Sequence, residues 1–539
     1  MKDIRNLLIY AIIIASYSCK ESGNSIEQVL YQLKLENSQL LISEVATNLV
    51  EPWEITWGPD DHIWFTEHRG YVSRMDPETG KYQRLLKIPN LHYERTSGVL
   101  GMVLHPDFQT DPYVYVHYTI DDPTPDDPDR ITSEVVRFLY HSELDTLTHP
   151  DTILADIPGQ PWHNGSRMII TPDRKIILAT GDIGDDEAPQ DPSKLNGKTL
   201  RINLDGSIPD DNPYENSYLY SIGHRNAQGL VYANDRIYSS EHGPNNDDEV
   251  NIVKASQNYG WPDVEGFCDT EHEVEFCGKT KVTEPLTTWT PTIAPSGLDY
   301  FNHPSIPEWQ NSLILTSLKA RSLRVLQLSE DGDHIIEEEI YFQKLFGRFR
   351  DVCISSAGDI YLSTSNTDWH PMSQVWMYDN LPREGDDRII KISANIPPDI
   401  DTNKLLTIRA DTAQMQLFDE DYETMAQDND LGTSLYVTHC ATCHLPNGTG
   451  IPNLIPPLSD SEWITGDRER LIEIILRGIT GKIEVAGQEY NEIMPGFAAL
   501  LSDQEIADIL NFVTAEFGDG GPPLNADDVY NIRSRATYE

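Results

Sequence analysis

Positive charge is what this chain has least of. Its 539 residues hold 40 Lys and Arg against 87 Asp and Glu, a formal net charge of −47. So acidic a surface repels a phosphate backbone, which excludes nucleic acid as a partner. The shortage also sets a condition on any anionic ligand: the few cations must be gathered where it binds. A dinucleotide fingerprint is missing as well, because no strand leads into a G-x-G-x-x-G turn that opens a helix. Apolar runs are short. The N-terminal stretch 7–15 (LLIYAIIIA) cannot span a bilayer.

That stretch has another use. Lys2 and Arg5 precede it, and Ser16 and Ser18 bracket Tyr17 directly before Cys19. The order of charge, apolar run and small residues marks 1–18 as an export signal. A cysteine at its end resembles a bacterial lipoprotein signal, which implies lipidation at Cys19. The expectation is an exported lipoprotein, anchored by lipid alone and facing the periplasm or the cell surface. Only six cysteines are present. Cys268 and Cys277 share an acidic, Gly-containing loop and are expected to form a disulfide. Cys353, in an alternating apolar run, reads as a buried thiol.

Between residues 40 and 393 helical periodicity is almost absent. One unit recurs: an Asp- or Gly-rich turn, a short strand, then a polar end. It reads DDHIWFTEHRG from Asp60, DPYVYVHYT from Asp111 and PDRKIILATGD from Pro172. It returns as ANDRIYSSEHG from Ala233, QNSLILTSLK from Gln310 and SAGDIYLSTSN from Ser356. The starts are roughly 45 to 80 residues apart, about one four-stranded blade plus loops. Six such units predict a mostly β fold, a six-bladed propeller whose polar strand ends (His68, Asp182, His242, Lys319) converge at one mouth of the channel. The expected organisation is signal 1–18, tether 19–39, propeller 40–393, linker 394–427, a small all-α domain 428–518 and tail 519–539.

The all-α domain opens on Cys440-Ala441-Thr442-Cys443-His444, the C-x-x-C-H pattern of covalent haem c attachment. Both thiols would bond the porphyrin and His444 would ligate iron. Zinc is excluded by inventory, since no cysteine follows Cys443 and no histidine follows His444. Met494 is the one methionine after the motif, which makes it the second axial ligand. The stretch resembles class I cytochromes c. Helices are predicted around 471–476 and from a Ser502/Glu505 cap through Val513.

Moving single electrons requires a donor, and the propeller carries further motifs. PWHNGSRM surrounds His163, TGDIGD starts at Thr180, SIGHRNAQG surrounds Arg225, and EHGPNNDDEVNIV starts at Glu241. LTSLKARS surrounds Lys319 and GRFRDV holds Arg348 and Arg350. In this order, over about 45–392, they resemble the soluble quinoprotein glucose/sorbosone dehydrogenases, six-bladed propellers that use pyrroloquinoline quinone (PQQ) and calcium. The resemblance implies His163 as the base on a sugar's anomeric hydroxyl, Arg225 as the stabiliser of charge on the quinone, and a lactone product. It implies cofactor contacts from Lys319, Arg348, Arg350, Asn226 and Thr292, and calcium held by the backbone carbonyls of Gly243 and Pro244. The electrons would leave through haem to a respiratory acceptor. Two positions depart from the glucose-oxidising pattern. Trp162 stands where Asp commonly precedes the histidine, and Thr96 where an amide or acid is common. Both would border the sugar, so an aldehyde of the sorbosone type is the rival substrate, and a non-catalytic binding propeller the rival of another class.

Overall fold

A computed structural model of the chain describes residues 28–244, 246–290, 292–369, 387–398 and 400–408. C-terminal to these it describes 432–433, 435–436, 440, 444, 448, 456–459, 461–479, 481–490, 494, 496–497, 501–518 and 520–535. The signal 1–18, Cys19 and Cys443 lie outside the described residues.

The β part is a six-bladed propeller built of consecutive antiparallel sheets. Blade 1 comprises Pro52–Trp57, Ile63–Glu67, Tyr71–Met75 and Tyr82–Lys87, paired in chain order. Blades 2 to 5 repeat the plan, starting from Val99–Leu104, Met168–Ile170, Ala227–Ala233 and Pro295–Phe301. The first strand of each blade contacts the first strands of its two neighbours, so these strands line the channel. Every one of the six recurring sequence units is the second strand of its blade, for example Ile63–Glu67, Lys175–Thr180 and Ile360–Thr364.

A blade packed between two others buries both faces, so its strands lose the apolar–polar alternation of a half-exposed sheet. In Lys175–Thr180, Ile176 and Leu178 pack toward blade 2, while Ile177 and Ala179 pack toward blade 4. Each such Ile or Leu side chain, fully buried, contributes about 1.5–3 kcal/mol, and a smaller one less. Cys353 is one of the smaller ones, 3% exposed between blades 6 and 1, and burial pushes its thiol pKa up.

Blade 6 corrects the expected boundaries. Phe349–Ile354, Ile360–Thr364 and Asp387–Ser393 are completed by Gln39–Leu49 from the far end of the chain. Gln28–Lys34 adds antiparallel to that strand and Leu406–Ile408 adds parallel to Gln28–Lys34. The expected tether therefore ends in a strand, and the linker contributes one. Leu33 and Ile42 are buried among the blade 5 and 6 residues, which is why both ends are drawn in. The ring is thereby closed by pairing strands from distant parts of the chain within one blade.

The C-terminal part holds helices Arg468–Arg477, Asp503–Phe517 and Ala526–Arg535 among its described residues. Ser502 and Glu505 form the expected capping box. The third helix falls in the expected tail and corrects it. Val529 and Ile532 pack into one core with Tyr436, Ile472, Leu476, Ile506 and Leu510. No described helix is long and apolar enough to cross a membrane.

Candidate active site

His163 lies on the loop between the last strand of blade 2, Thr146–Pro158, and the first of blade 3, Met168–Ile170. Its φ of +54° is left-handed, which costs a non-glycine residue about 1 kcal/mol or more. Close backbone packing holds it there. A Cβ on Gly181 would stand 1.9 Å from the His163 carbonyl oxygen, so only glycine lets the TGDIGD turn lie against this loop. The turn then presents Asp182, whose Oδ1 lies 2.8 Å from His163 Nδ1. Asp182 Oδ2 accepts from Trp261 Nε1 at 2.9 Å, which fixes the carboxylate in turn. With Nδ1–H engaged, Nε2 is the proton-accepting nitrogen, and Arg225 Nη2 approaches it to 3.3 Å.

Arg225 donates through Nη1 to the His242 carbonyl at 3.0 Å and stacks over the Trp261 ring at 5.3 Å. Burial lowers its pKa, and its Nε has no hydrogen-bond partner among the described residues. Glu241 accepts from the backbone N–H of Arg225 and, at 3.0 Å, from that of Asn226. Asn226 Oδ1 accepts from Gly165 N at 3.1 Å, locking the SIGHRNAQG loop to the histidine loop.

The other cations are placed on two sides. Lys319 Nζ donates to Thr292 Oγ1 at 2.5 Å, bringing together two of the expected cofactor residues, and burial lowers the lysine pKa. Arg348 and Arg350 are 6% and 4% exposed and both converge on the segment 365–369. Arg348 donates to the carbonyls of Ser365 and Asp368 at 3.2 and 3.1 Å, and Arg350 pairs with the Asp368 carboxylate. Asp368 also neighbours His68, which sits between it and Glu51. Burial alone would depress His68, but the neighbouring carboxylates of Asp368 and Glu51 outweigh it and raise the pKa.

The turn after Glu241 is shaped by Asp248. Its Oδ1 accepts from Gly243 N at 2.8 Å and its Oδ2 from Ala294 N at 2.7 Å, while burial raises its pKa to about 6. Asp248 is thereby spent on backbone N–H groups. The carbonyls of Gly243 and Pro244 accept no hydrogen bond among the described residues. Hard, unengaged oxygens of this kind fit calcium. The buried cations fit a ligand with several carboxylates.

In the helical part, Cys440 and Met494 pack against the same core. His444 Nδ1 lies 3.1 Å from the Pro456 carbonyl, which leaves Nε2 for a metal, and burial lowers its pKa to about 4, favouring the neutral ligand form. Met494 is held by paired backbone bonds to Ile479 of 2.9 and 3.0 Å. These residues fit a haem. In the acidic loop, Cys268 and Cys277 form the expected disulfide across the short helix Glu271–Cys277.

His163, Arg225, Asn226, Lys319, Arg348 and Arg350 all carried motif signals, and Thr292 entered only through the family resemblance. Glu51, Trp261 and Asp368 did not, because one carboxylate among 87 acids or one indole among 10 is silent until the fold places it. Position at a strand end was the available clue for His68, and Asp182 also lay in the TGDIGD motif.

Residues 49–371 match the glucose/sorbosone dehydrogenase family model, and residues 430–515 match that of cytochrome c. Quinoprotein glucose dehydrogenase B of Acinetobacter calcoaceticus is 30% identical over 404 residues, spanning 60% of this chain and 84% of that protein. Cytochrome c-552 of Thermus thermophilus is 41% identical over 113 residues, 19% of this chain and 85% of that one. The structure of the PQQ-bound aldose sugar dehydrogenase of Streptomyces coelicolor is similar with a TM-score of 0.56 at 29% identity. It covers 66% of this chain and 98% of its own.

Proposed function

Because the chain belongs to the glucose/sorbosone dehydrogenase family and carries a cytochrome c domain after its propeller, we propose that it oxidises a reducing sugar at the anomeric carbon, with PQQ and calcium, and passes the electrons to its own haem c. The observation that carries this reading is the His163–Asp182–Arg225 constellation beside buried cations in a chain of net charge −47.

PQQ, when bound, supplies a two-electron acceptor, and calcium polarises it as a Lewis acid. Lys319, Arg348 and Arg350 are the residues that would hold its carboxylates, with Asn226 and Thr292 framing it. The carbonyls of Gly243 and Pro244 would hold the calcium. His163 takes the proton of the anomeric hydroxyl at Nε2, and Asp182 keeps Nδ1 protonated so that Nε2 stays an acceptor. Trp261 holds the Asp182 carboxylate so that the imidazole plane does not swing. Arg225, desolvated and beside Nε2, turns its N–H groups to negative charge as it develops. Loss of the anomeric proton and carbon-bound hydrogen from an aldose leaves a lactone.

Cys440 and Cys443 would bear the haem, and His444 and Met494 would hold its iron. When bound, the haem would supply a one-electron carrier between the two-electron oxidation of the sugar and a respiratory acceptor. The reading includes export, with Cys19 lipidated at the periplasmic or outer surface. A disulfide between Cys268 and Cys277 supports an oxidising compartment.

The test is spectroscopic. Full-length protein given calcium, PQQ and an aldose should show the reduced bands of haem c, and His163→Ala should abolish them. If the haem stays oxidised with every reducing sugar and aldehyde offered, the reading fails.

A further inference from the structure

Two indoles stand exposed beside the base. Trp162 directly precedes His163 and is 38% exposed, and Trp369 directly follows Asp368 and is 40% exposed. Arg95 reaches between them. Its Cζ lies 5.3 Å from the centre of the Trp162 ring and 5.6 Å from that of Trp369.

The three side chains are tied to the site through their backbones. Thr96 donates to the Pro161 carbonyl from N at 3.1 Å and from Oγ1 at 3.3 Å, joining the Arg95 loop to the histidine loop. Trp162 rests on Gly184, where a Cβ would meet its Nε1 at 2.8 Å. Gly184 N donates to Asp182 Oδ1 at 2.9 Å, the same oxygen that engages His163. On the other side, Trp369 N donates to Asp368 Oδ1 at 2.7 Å, and its carbonyl accepts from Arg348 Nη2 at 3.4 Å. The rim thus spans from the base loop to the cation segment.

Arg95 differs from the other cations in its surroundings. Arg350 is buried against Asp368 and Arg69 is paired with the buried Glu51. Arg95 is 45% exposed, and its one ion-pair contact among the described residues is a loose 3.9 Å approach to Glu94, itself 55% exposed. A neutral aldose needs no guanidinium at the mouth of its site. A carboxylate does, above all on a protein whose net charge would otherwise repel it. The guanidinium fork matches a carboxylate in two hydrogen bonds, and flat indoles beside it suit the C–H face of a pyranose ring.

We propose that Arg95, Trp162 and Trp369 form a recognition rim for the carboxylate of an acidic sugar, so that reducing saccharides bearing a uronate group are the preferred substrates. This rests on the sugar-dehydrogenase reading above. The rim selects and orients; the proton still goes to His163.

The experiment uses the full-length enzyme loaded with PQQ and calcium, and the pairs glucose/glucuronate and galactose/galacturonate, which differ only at C6. The uronate is expected to have the higher kcat/KM by about tenfold or more, the usual worth of a charge-assisted pair at a polar site. Arg95→Ala should lower the uronate-to-neutral ratio by about the same factor, Arg95→Lys by less, and added salt should lower the uronate rate alone. A second readout needs no turnover: methyl glucuronoside, which has no free anomeric hydroxyl, should bind wild type more tightly than methyl glucoside by calorimetry, and lose that advantage in Arg95→Ala. A wild type that prefers the neutral partner of each pair, or an Arg95→Ala variant that depresses both sugars equally, overturns the rim and leaves the dehydrogenase reading standing. Selective binding of the methyl glucuronoside with no oxidation of any reducing sugar would sustain the rim and sink the enzyme reading instead.

Discussion

His163 and Asp182 meet through a 2.8 Å contact between Nδ1 and Oδ1, although one sits on an inter-blade loop and the other on a turn that follows a strand. The two are 19 residues apart, and the bond exists because Gly181 lets the two backbones touch. Asp182→Asn keeps the shape but can donate an N–H to the ring, stabilising the tautomer with its proton on Nε2. The rate of haem reduction after mixing with sugar should fall about a hundredfold or more, with KM little changed. A KM rise at unchanged rate would mean that Asp182 only shapes the pocket.

His68 gives the pH prediction. Its imidazole lies 3.6 Å from Glu51 and 3.5 Å from Asp368, all three buried, and its folded-state pKa is raised. A raised histidine contributes stability in full below its unfolded value, about 6.5, and that stability is lost as pH rises through the folded value. Wild type should therefore exceed His68→Gln in Tm by most below about pH 6.5, with the gap narrowing as pH rises. Calorimetric melts across that range check it. A gap that widens with pH would reverse the assignment. Asp368→Asn removes the shared partner of His68 and Arg350 and should cost about 3 kcal/mol or more, since it leaves a cation buried without its counter-ion.

How far the sequence foretold this arrangement depended on repetition. Six turn-plus-strand units announced six blades, because the second strand of each blade is buried on both faces and ends at the channel mouth. The closing strand Gln39–Leu49 and the added Gln28–Lys34 carry no such unit. The first is placed by pairing with Asp387–Ser393, a contact between distant parts of the chain that local pattern cannot express, and the second pairs onto the first. The cations and His163 were legible because they recur in ordered motifs. Glu51 and Asp368 act through burial, which turns ordinary acids into fixed counter-ions only once the blades are assembled. In the helical part the Ser502/Glu505 box was plain, whereas Ala526–Arg535 buries only Val529 and Ile532 and so shows little periodicity.

The disulfide between Cys268 and Cys277 closes a short loop, with a sequence separation of 9, around a helix capped by Thr270 and Glu273. Its removal in a Cys268→Ser/Cys277→Ser variant should cost about 2–3 kcal/mol, from the entropy restored to the unfolded loop. The loss should be local, because this loop leaves blade 4 and rejoins it at Thr287–Trp289. Limited proteolysis should cut the variant within 268–277 faster than wild type, while haem reduction by sugar stays within about twofold.

The C-terminal helix Ala526–Arg535 makes a prediction about the haem domain. Val529 is fully buried and Ile532 is 4% exposed, against a core that also receives Met494 and Cys440. Arg533 Nε pairs with Asp503 Oδ1 at 2.6 Å, and Nη2 donates to the Leu501 carbonyl at 2.9 Å, fastening the helix to the start of Asp503–Phe517. Val529→Asp would bury a carboxylate with no partner in an apolar core, at a cost of about 3 kcal/mol or more. The Soret band should then melt at lower temperature in the variant, and the band that reports sulfur ligation of iron should weaken before the propeller unfolds. Val529→Ala, which only removes methyl groups, should cost about 1–2 kcal/mol and leave that band intact. Equal melting of both variants and wild type would show that the helix is an appendage rather than part of the haem domain's core.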